Sequence, residues 1–179
     1  MPRFRSAARP QGTSYYSRNI GSWHIVSLDS NIERGKGSAQ LEWLKQDLKA
    51  STSACTLAYW HHPRFSSGVK HGSDTSVRRF WRVLHRRGAD VVLNGHEHNY
   101  ERFARQTPKQ VKSKAGIREF VVGTGGREFY PFGTPELNSQ VRTTNEYGVL
   151  RLKLRTRSYK WKFKTTAGTT RDRGRSRCS

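Results

Sequence analysis

Residues 22–95 alternate short apolar runs with two amphipathic helical patterns, and this order limits the possible folds more than any other feature of the chain. The apolar runs have the length of strands, and they are "SWHIVSLDS" at 22–30, "CTLAYW" at 55–60 and "ADVVLNG" at 89–95. Between them, Ser38 is the expected N-cap of one helix, and the segment from Asp74 to Ser76 is the expected cap of the next. The resulting β-α-β-α-β order predicts an α/β fold with a mainly parallel sheet and right-handed crossovers.

The pattern changes after residue 95, where antiparallel strands are expected. "IREFVVGTGG" at 117–126 predicts a further strand that runs into a glycine loop. Residues 148–155 and 159–166 alternate apolar with basic side chains, a pattern typical of a hairpin with one face in water. The chain therefore combines a parallel α/β part with antiparallel strands.

The 179 residues have the length of one domain, which we assign to residues 21–168. We interpret residues 1–20 as an irregular lead-in and residues 169–179, which include "RDRGRSRCS", as a mobile basic tail. No apolar stretch is long enough for a transmembrane segment. The first ten residues are basic but lack the apolar middle of an export signal, so no signal peptide is visible.

Charge and hydrophobicity indicate the kind of partner to expect. The 34 Lys and Arg residues outnumber the 13 Asp and Glu residues, and the net charge of +21 favours anionic partners such as nucleic acid, an anionic membrane or a phosphorylated substrate. Only 33% of the residues are hydrophobic, so the core is expected to be thin for the length. A non-catalytic protein that binds a polyanion through its basic surface is one function compatible with this composition.

The two cysteines, Cys55 and Cys178, fit no spaced metal motif. They are either free thiols or, in an oxidising compartment, a disulfide that ties the tail to a central strand. The sequence leaves both alternatives open.

Histidines follow two of the expected strands. His61 and His62 end the run at 55–60, and His96 and His98 follow the run at 89–93. Binding sites of open α/β sheets form outside the carboxyl ends of parallel strands, so these imidazoles converge if the two strands are neighbours. Imidazole clusters suit Zn, Fe or Mn. The spacing therefore predicts a metal site at this edge of the sheet.

Four segments of the chain also resemble a known family. They are "SWHIVSLDSN" at 22–31, "LAYWHHPRFSSG" at 57–68, "ADVVLNGHEHNYERFA" at 89–104 and "IREFVVGTGG" at 117–126. Together they resemble the C-terminal portion of the calcineurin-like metallophosphoesterases, in the purple acid phosphatase-like branch. The resemblance implies an α/β sandwich, a phosphate ester substrate, a dinuclear centre of Fe, Zn or Mn, and a secreted or periplasmic location.

The resemblance also implies roles for individual residues. His61 and His96 resemble ligands of one metal, and His98 resembles a ligand of the other. His71 resembles the histidine that donates a proton to the leaving group. Tyr100 and Arg102 follow the ligands closely, and we expect them either to contact the substrate phosphate or to brace the loop.

The chain departs from the family in its acidic ligands. The blocks Asp-x-His, Gly-Asp and Gly-Asn-His of the family do not occur in this sequence, and Asp29, the one aspartate that ends a strand of the same sheet, resembles scaffold. Without a bridging carboxylate, nothing evident holds two dications together. The resemblance therefore implies an N-terminally truncated metallophosphoesterase with an incomplete dinuclear site. A polyanion-binding protein and an inactive fragment remain the alternatives.

Overall fold

The computed structural model describes residues 12–179, so the interpretation of residues 1–11 as part of a lead-in lies outside it. The described elements, in chain order, are β1 (Tyr16–Ile20), β2 (Trp23–Ser27), α1 (Ala39–Ala50), β3 (Cys55–Tyr59), a 3-10 turn (Thr75–Val77), α2 (Arg78–Arg86), β4 (Val91–Asn94), β5 (Tyr100–Phe103), β6 (Arg118–Val122), β7 (Ser139–Thr143), β8 (Gly148–Arg155), β9 (Ser158–Thr165) and β10 (Thr170–Arg177).

Two sheets organise these elements. The larger has seven strands in the order β1-β2-β3-β4-β6-β5-β7, and the smaller has three in the order β10-β9-β8. Strands β2, β3, β4 and β6 run parallel, whereas β1, β5 and β7 pair antiparallel with their neighbours. The smaller sheet is antiparallel throughout. The α/β class with a parallel centre and later antiparallel strands is confirmed.

Both predicted helices form where their caps and apolar spacing place them. The Ser38 hydroxyl accepts a hydrogen bond from the Leu41 N–H, and α1 buries Leu41, Leu44 and Leu48. The Asp74 carboxylate accepts one from the Ser76 N–H, which begins the turn that leads into α2. Capping of this kind satisfies N–H groups that the first helical turn leaves without a partner.

Apolar side chains cover both faces of the central strands. On the helix side the core contains buried residues such as Leu44, Trp81 and Val92. Between the two sheets a second core includes Leu57 and Phe120 together with aromatic residues of β9. Burial on both faces explains why the central strands read as continuous apolar runs and not as alternating patterns.

Both chain ends are more regular than expected. The interpretation of residues 1–20 as irregular is wrong for Tyr16–Ile20, which pair with β2 as an antiparallel edge strand. The prediction of a mobile basic tail at 169–179 is also wrong, because Thr170–Arg177 pair with β9 along their length. Edge strands with few buried side chains lack the apolar pattern by which strands are recognised.

The cysteines form a disulfide, Cys55–Cys178, with Cα atoms 5.6 Å apart, and residues 12–179 contain no free thiol. The bond links the first residue of β3 to the residue after β10, and so it ties the smaller sheet to the centre of the larger one. Of the two alternatives, the disulfide is therefore the one found. None of the helices within residues 12–179 is long and apolar enough to cross a membrane.

Candidate metal centre

Neighbouring parallel strands bring the two histidine pairs to one edge of the larger sheet. Leu57 of β3 lies opposite Val91 of β4, and β3 and β4 are paired in parallel. Both strands therefore end at the same edge, where the chain continues into His61 and His62 on one side and His96 and His98 on the other. The backbone N–H of Gly95 donates to the carbonyl of His61 at 3.0 Å, which joins the two loops directly.

Three imidazoles form a compact cluster. Ring nitrogens of His61, His62 and His96 all lie within 4.8 Å of one another. His61 Nε2 lies 3.0 Å from His96 Nδ1. Two imidazole nitrogens bound to one tetrahedral zinc, each at about 2.0–2.1 Å, are about 3.3 Å apart. The cluster therefore has the dimensions of a set of ligands to one metal ion.

His62 is a member of this cluster, although it was predicted only as one of the converging imidazoles and not as a ligand. Its Nδ1 lies 2.7 Å from the Ser30 hydroxyl, and its backbone N–H donates to the same hydroxyl oxygen. A hydrogen bond to one ring nitrogen fixes the ring and directs the other nitrogen toward a ligand position. Its position directly after His61 was the only signal for it in the sequence.

The backbone at His96 adopts a conformation that L-residues rarely populate. Its φ is +66°, in the left-handed region. Such a conformation costs of order 1–3 kcal/mol for a residue with a side chain, and it persists where the surrounding structure requires it. Here it turns the His96 ring toward His61 and His71, whose rings lie 4.8 and 3.9 Å away between centroids.

The imidazoles of the cluster are held in the neutral state. The pKa values of His61, His62 and His96 are all lowered, chiefly because partial burial penalises the charged form, and neighbouring groups modulate them further. The pKa of His96 falls to about 4, since His71, His62, His61 and His98 add to the effect of burial. Neutral imidazole has the lone pair that a metal requires. The donor set therefore fits a transition metal ion that accepts imidazole ligands.

His98 lies on the same loop but outside the three-imidazole cluster. Its Nδ1 is 2.8 Å from the carbonyl oxygen of Glu128, and its ring stacks on Tyr130 with 4.0 Å between centroids. Because a carbonyl only accepts, Nδ1 carries the proton and Nε2 keeps its lone pair. His98 can therefore act as a ligand through Nε2, at a different position from the cluster.

Buried glutamates hold the loop that carries His71. The backbone N–H groups of His71 and Gly72 both donate to Glu97 Oε1, and Glu97 is fully buried. The other Glu97 carboxylate oxygen has no hydrogen-bond partner within residues 12–179. His71 itself is exposed, with its ring beside that of His96. Glu97 thus positions the backbone on which His71 is mounted.

Two further glutamates accept hydrogen bonds from backbone N–H groups in the preceding part of the loop. Glu119 Oε1 accepts from the N–H groups of Arg64 and Phe65 at 3.0 and 3.4 Å, and Glu101 accepts from Ser67 N–H at 2.8 Å. Burial raises the pKa of Glu101 and raises that of Glu119 well above its usual value. These residues were not predicted from the sequence, although a glutamate within the apolar strand "REFVV" was a signal that could have found Glu119.

Tyr100 and Arg102 do not contact the histidine cluster in any hydrogen bond of the described residues. The Tyr100 hydroxyl and the Arg102 Nε both donate to Asp172 Oδ2 at 2.7 Å, between the two sheets. These hydrogen bonds link β5 to β10 and favour bracing over contact with a substrate phosphate, and the bracing role stays a prediction. Their side chains face the smaller sheet because β5 is a paired strand and not an open loop.

Acidic residues do not complete the histidine cluster. Within residues 12–179 the cluster of candidate ligands at this edge contains histidines alone. Asp29 Oδ1 accepts a hydrogen bond from the Asn31 N–H, and the Asp29 N–H donates to Gln40, as expected of scaffold. Asp90 lies beside the disulfide, whose sulfurs are already bonded to each other.

The chain resembles known proteins in both sequence and structure. The family model for calcineurin-like phosphoesterase matches residues 6–100. Purple acid phosphatase 15 of Arabidopsis thaliana is 36% identical over 119 residues, which cover 64% of this chain and 22% of the relative. Probable purple acid phosphatase 20 of the same plant is 33% identical over 134 residues, covering 69% of this chain and 31% of the relative. The chain thus spans less than a third of the length of these curated relatives.

Solved structures show the same fold. Purple acid phosphatase PPD1 from yellow lupin (Lupinus luteus) seeds superposes with a TM-score of 0.80 at 18% identity, covering 90% of this chain and 32% of that one. GAP50, described as the anchor in the inner membrane complex of Plasmodium, gives a TM-score of 0.72 at 13% identity, covering 93% of this chain and 55% of that one. At these identities the likeness concerns the fold alone.

Proposed function

The chain belongs to the calcineurin-like phosphoesterase family, whose model matches more than half of it, and on that premise we propose that it carries the histidine part of a purple acid phosphatase-like phosphate ester hydrolase. The observation that supports this proposal is the convergence of His61, His62 and His96 within 4.8 Å at the carboxyl ends of β3 and β4. The proposed metal is Zn, Fe or Mn, of which Zn and Fe are the ions that imidazole ligands suit best.

Each residue of the site has a distinct part in the proposed chemistry. A metal at the cluster would act as a Lewis acid toward a phosphoryl oxygen and would make water more acidic. The neutral imidazoles hold it, and the Ser30 hydroxyl, 2.7 Å from His62 Nδ1, fixes one of them. His71 donates a proton to the leaving oxygen of the ester, from an exposed position beside His96.

A second metal requires more than this chain contains. His98 offers Nε2, but two nearby dications repel each other strongly unless carboxylates lie between them. The acidic blocks that supply such carboxylates in the family do not occur in this sequence. We therefore expect these residues by themselves to bind one metal ion, and we expect phosphate ester hydrolysis to be weak without the missing carboxylates.

Calorimetric titration of the purified chain with Zn²⁺ tests the ligand set. His96→Ala and His62→Ala should each lower the affinity by at least about 100-fold, because losing a ligand costs more than losing one of its orienting partners. His98→Ala should leave the first binding event unchanged. His85→Ala, a histidine of α2 that is no member of the cluster, serves as the matched control.

Hydrolysis is measured separately with p-nitrophenyl phosphate in the presence of Zn²⁺, Mn²⁺ or Fe²⁺. Activity that depends on metal and is lost in His96→Ala would support the phosphoesterase proposal. Tight Zn²⁺ binding that depends on His62, without any hydrolysis of the ester, would support the proposed metal site. It would reject the proposal that these residues alone catalyse hydrolysis. Equal affinity in wild type and His96→Ala would reject the site itself.

An oxidising compartment is the proposed location, in line with the expectation of a secreted or periplasmic protein. The Cys55–Cys178 disulfide supports it, since such bonds persist outside reducing compartments. Mass spectrometry of the protein isolated without reductant, after alkylation, should find both cysteines unalkylated.

A further inference from the structure

The outward face of the smaller sheet consists almost entirely of cations. Alternate residues of its three strands point away from the larger sheet and are exposed, apart from smaller residues at the strand ends. The nine exposed cations of this face are Arg151, Lys153, Arg155, Lys160, Lys162, Lys164, Arg173, Arg175 and Arg177. Val149 is the large apolar side chain that is exposed on these strands.

The strand register aligns six of these cations in two rows that cross all three strands. One row contains Arg151, Lys162 and Arg173, and the other contains Lys153, Lys160 and Arg175. Neighbouring members of a row are about 5 Å apart at the backbone, and the rows are about 7 Å apart, as strand geometry requires. The six side chains line a trough of about 600 Å³.

The floor of the trough is backbone. Trp161 and Gly174 lie between the two rows, opposite each other on β9 and β10. The Trp161 side chain faces inward, where its indole N–H donates to Asp172. A Cβ atom at Gly174 would lie 2.2 Å from the Trp161 ring, so only glycine allows β10 to lie this close. The trough therefore has a flat floor between two walls of long cationic side chains.

Few acidic groups of the folded chain lie close enough to stabilise these cations. Asp172, the one carboxylate of the three strands, is buried and faces inward. Within residues 12–179 none of the nine cations belongs to an ion pair, whereas the adjacent Arg171 pairs with Glu146. Like charges directly opposite each other across strands are destabilising. An external polyanion would relieve that repulsion.

We propose that this trough binds the phosphate backbone of double-stranded nucleic acid without sequence preference. Both walls end at sheet edges, β8 and β10, so a polymer can pass through. Duplex DNA carries one charge per about 1.7 Å of its axis, a density that suits closely spaced cations. Within residues 148–177 no exposed aromatic ring lies on the face to stack single-stranded bases. The exposed Tyr147, directly before β8, packs on Phe129 and does not line the trough, and Val149 alone is a poor membrane anchor. The site shares no residue with the histidine cluster and goes beyond the proposed phosphoesterase function.

Fluorescence anisotropy of the full chain with a labelled duplex of about 20 base pairs tests the proposal. Between about 50 and 200 mM salt, the log–log slope of affinity against salt should be about −3 to −5, because each neutralised phosphate contributes about −0.9. Lys153→Gln/Lys160→Gln/Lys162→Gln should lower affinity at least about ten-fold and make the slope shallower by about 2–3. The melting temperature should not fall, since like-charge repulsion decreases.

Lys109→Gln/Lys112→Gln/Lys114→Gln is the matched control, because it removes three exposed lysines from another surface. Nearly unchanged binding in this control would support the trough. Equal weakening in both triple variants would attribute binding to net charge and overturn the proposal. A flat salt response would overturn it as well, and so would tighter binding to heparin than to the duplex, which would identify a sulfated polysaccharide as the occupant.

Discussion

At the scale of single residues, buried carboxylates organise the loop that carries His71, the proposed proton donor. Backbone N–H groups between residues 64 and 72 donate to Glu97, Glu101 and Glu119, all of which are buried. A loop leaving a sheet has few strand partners for its amides, and a buried amide without a partner costs free energy. The glutamates supply those partners at defined points, and so they fix the backbone of the segment that carries His71.

The raised pKa of Glu119 leads to a prediction about pH. Complete burial raises this pKa well above its usual 4.5, so the folded chain retains a proton that the unfolded chain releases above that pH. Because the unfolded state then binds fewer protons, the contribution of Glu119 to the free energy of unfolding decreases as pH rises from about 4.5 toward the folded-state pKa. The decrease is about 1.4 kcal/mol for each pH unit.

Urea unfolding of wild type and Glu119→Gln across this pH range measures the effect. The difference in unfolding free energy between the two proteins should favour wild type at low pH and decline as pH rises. The comparison cancels the opposite trend that the depressed histidine pKa values impose on both proteins. A difference independent of pH would contradict the prediction.

The sequence allowed His61, His96 and the edge on which they lie to be predicted, because strand ends in parallel sheets have known neighbours. It placed His62 among the converging imidazoles but gave it no ligand role, and it did not reveal the glutamates. Their roles depend on which oxygen or ring nitrogen faces which loop, and residue spacing does not carry that information. Asp172 was likewise hidden, since its partners Tyr100 and Arg102 lie 72 and 70 residues away in sequence.

At the scale of elements, strands with a strong apolar signal were predicted and strands with a polar signal were not. The hairpin of β8 and β9 is confirmed because its apolar side chains alternate with lysines and arginines. β5 reads "YERF" and was not predicted as a strand, although Glu101 and Tyr100 are fully buried. β10 reads "TRDRGRSR" and owes its position to pairing with β9 and to one buried aspartate.

Asp172 is predicted to hold β10 to the rest of the molecule. It accepts hydrogen bonds from Tyr100, Arg102 and Trp161, and it is almost completely buried. Asp172→Ala should lower the free energy of unfolding by about 3–5 kcal/mol, because the largely buried guanidinium of Arg102 loses its counter-charge. Denaturant unfolding followed by circular dichroism measures this.

Asp172→Asn is the matched variant, since it keeps an acceptor of the same size but removes the charge. Its cost should be smaller, about 1–3 kcal/mol. Loss of less than about 1 kcal/mol in the alanine variant would show that the three donors find other partners or water. A cost equal in both variants would identify the charge, and not the hydrogen bonds, as the source of stability.

At the scale of the whole molecule, the two sheets are joined by aromatic packing, by the hydrogen bonds to Asp172 and by one covalent bond. The smaller sheet contributes its aromatic inner face to the shared core, while its outer face carries the basic residues that lower the hydrophobic share of the chain to 33%. The Cys55–Cys178 bond spans 123 residues of sequence and so closes most of the chain into one loop.

Cys178→Ser should therefore lower the free energy of unfolding by about 2–5 kcal/mol under oxidising conditions. The expected cause is the greater conformational freedom of an unfolded chain without the cross-link. Thermal unfolding in the presence and absence of reductant is the measurement. In reductant the wild type should become as unstable as the variant. A variant that stayed less stable than reduced wild type would place the effect in local packing around the sulfur.

The basic rows also bear on how the protein behaves at high concentration. β8 and β10 are edge strands eight residues long, and an uncovered edge of that length is a template for pairing with a strand of another copy. A second copy approaching β10 would bring arginine against arginine at every other position, so the β10 edges of two copies repel each other. A polyanion that neutralised the arginines would remove this protection. The polyanion that is proposed to bind this face would thus also allow edge strands of two copies to pair. Storage in polyanionic buffers would therefore promote aggregation of the protein.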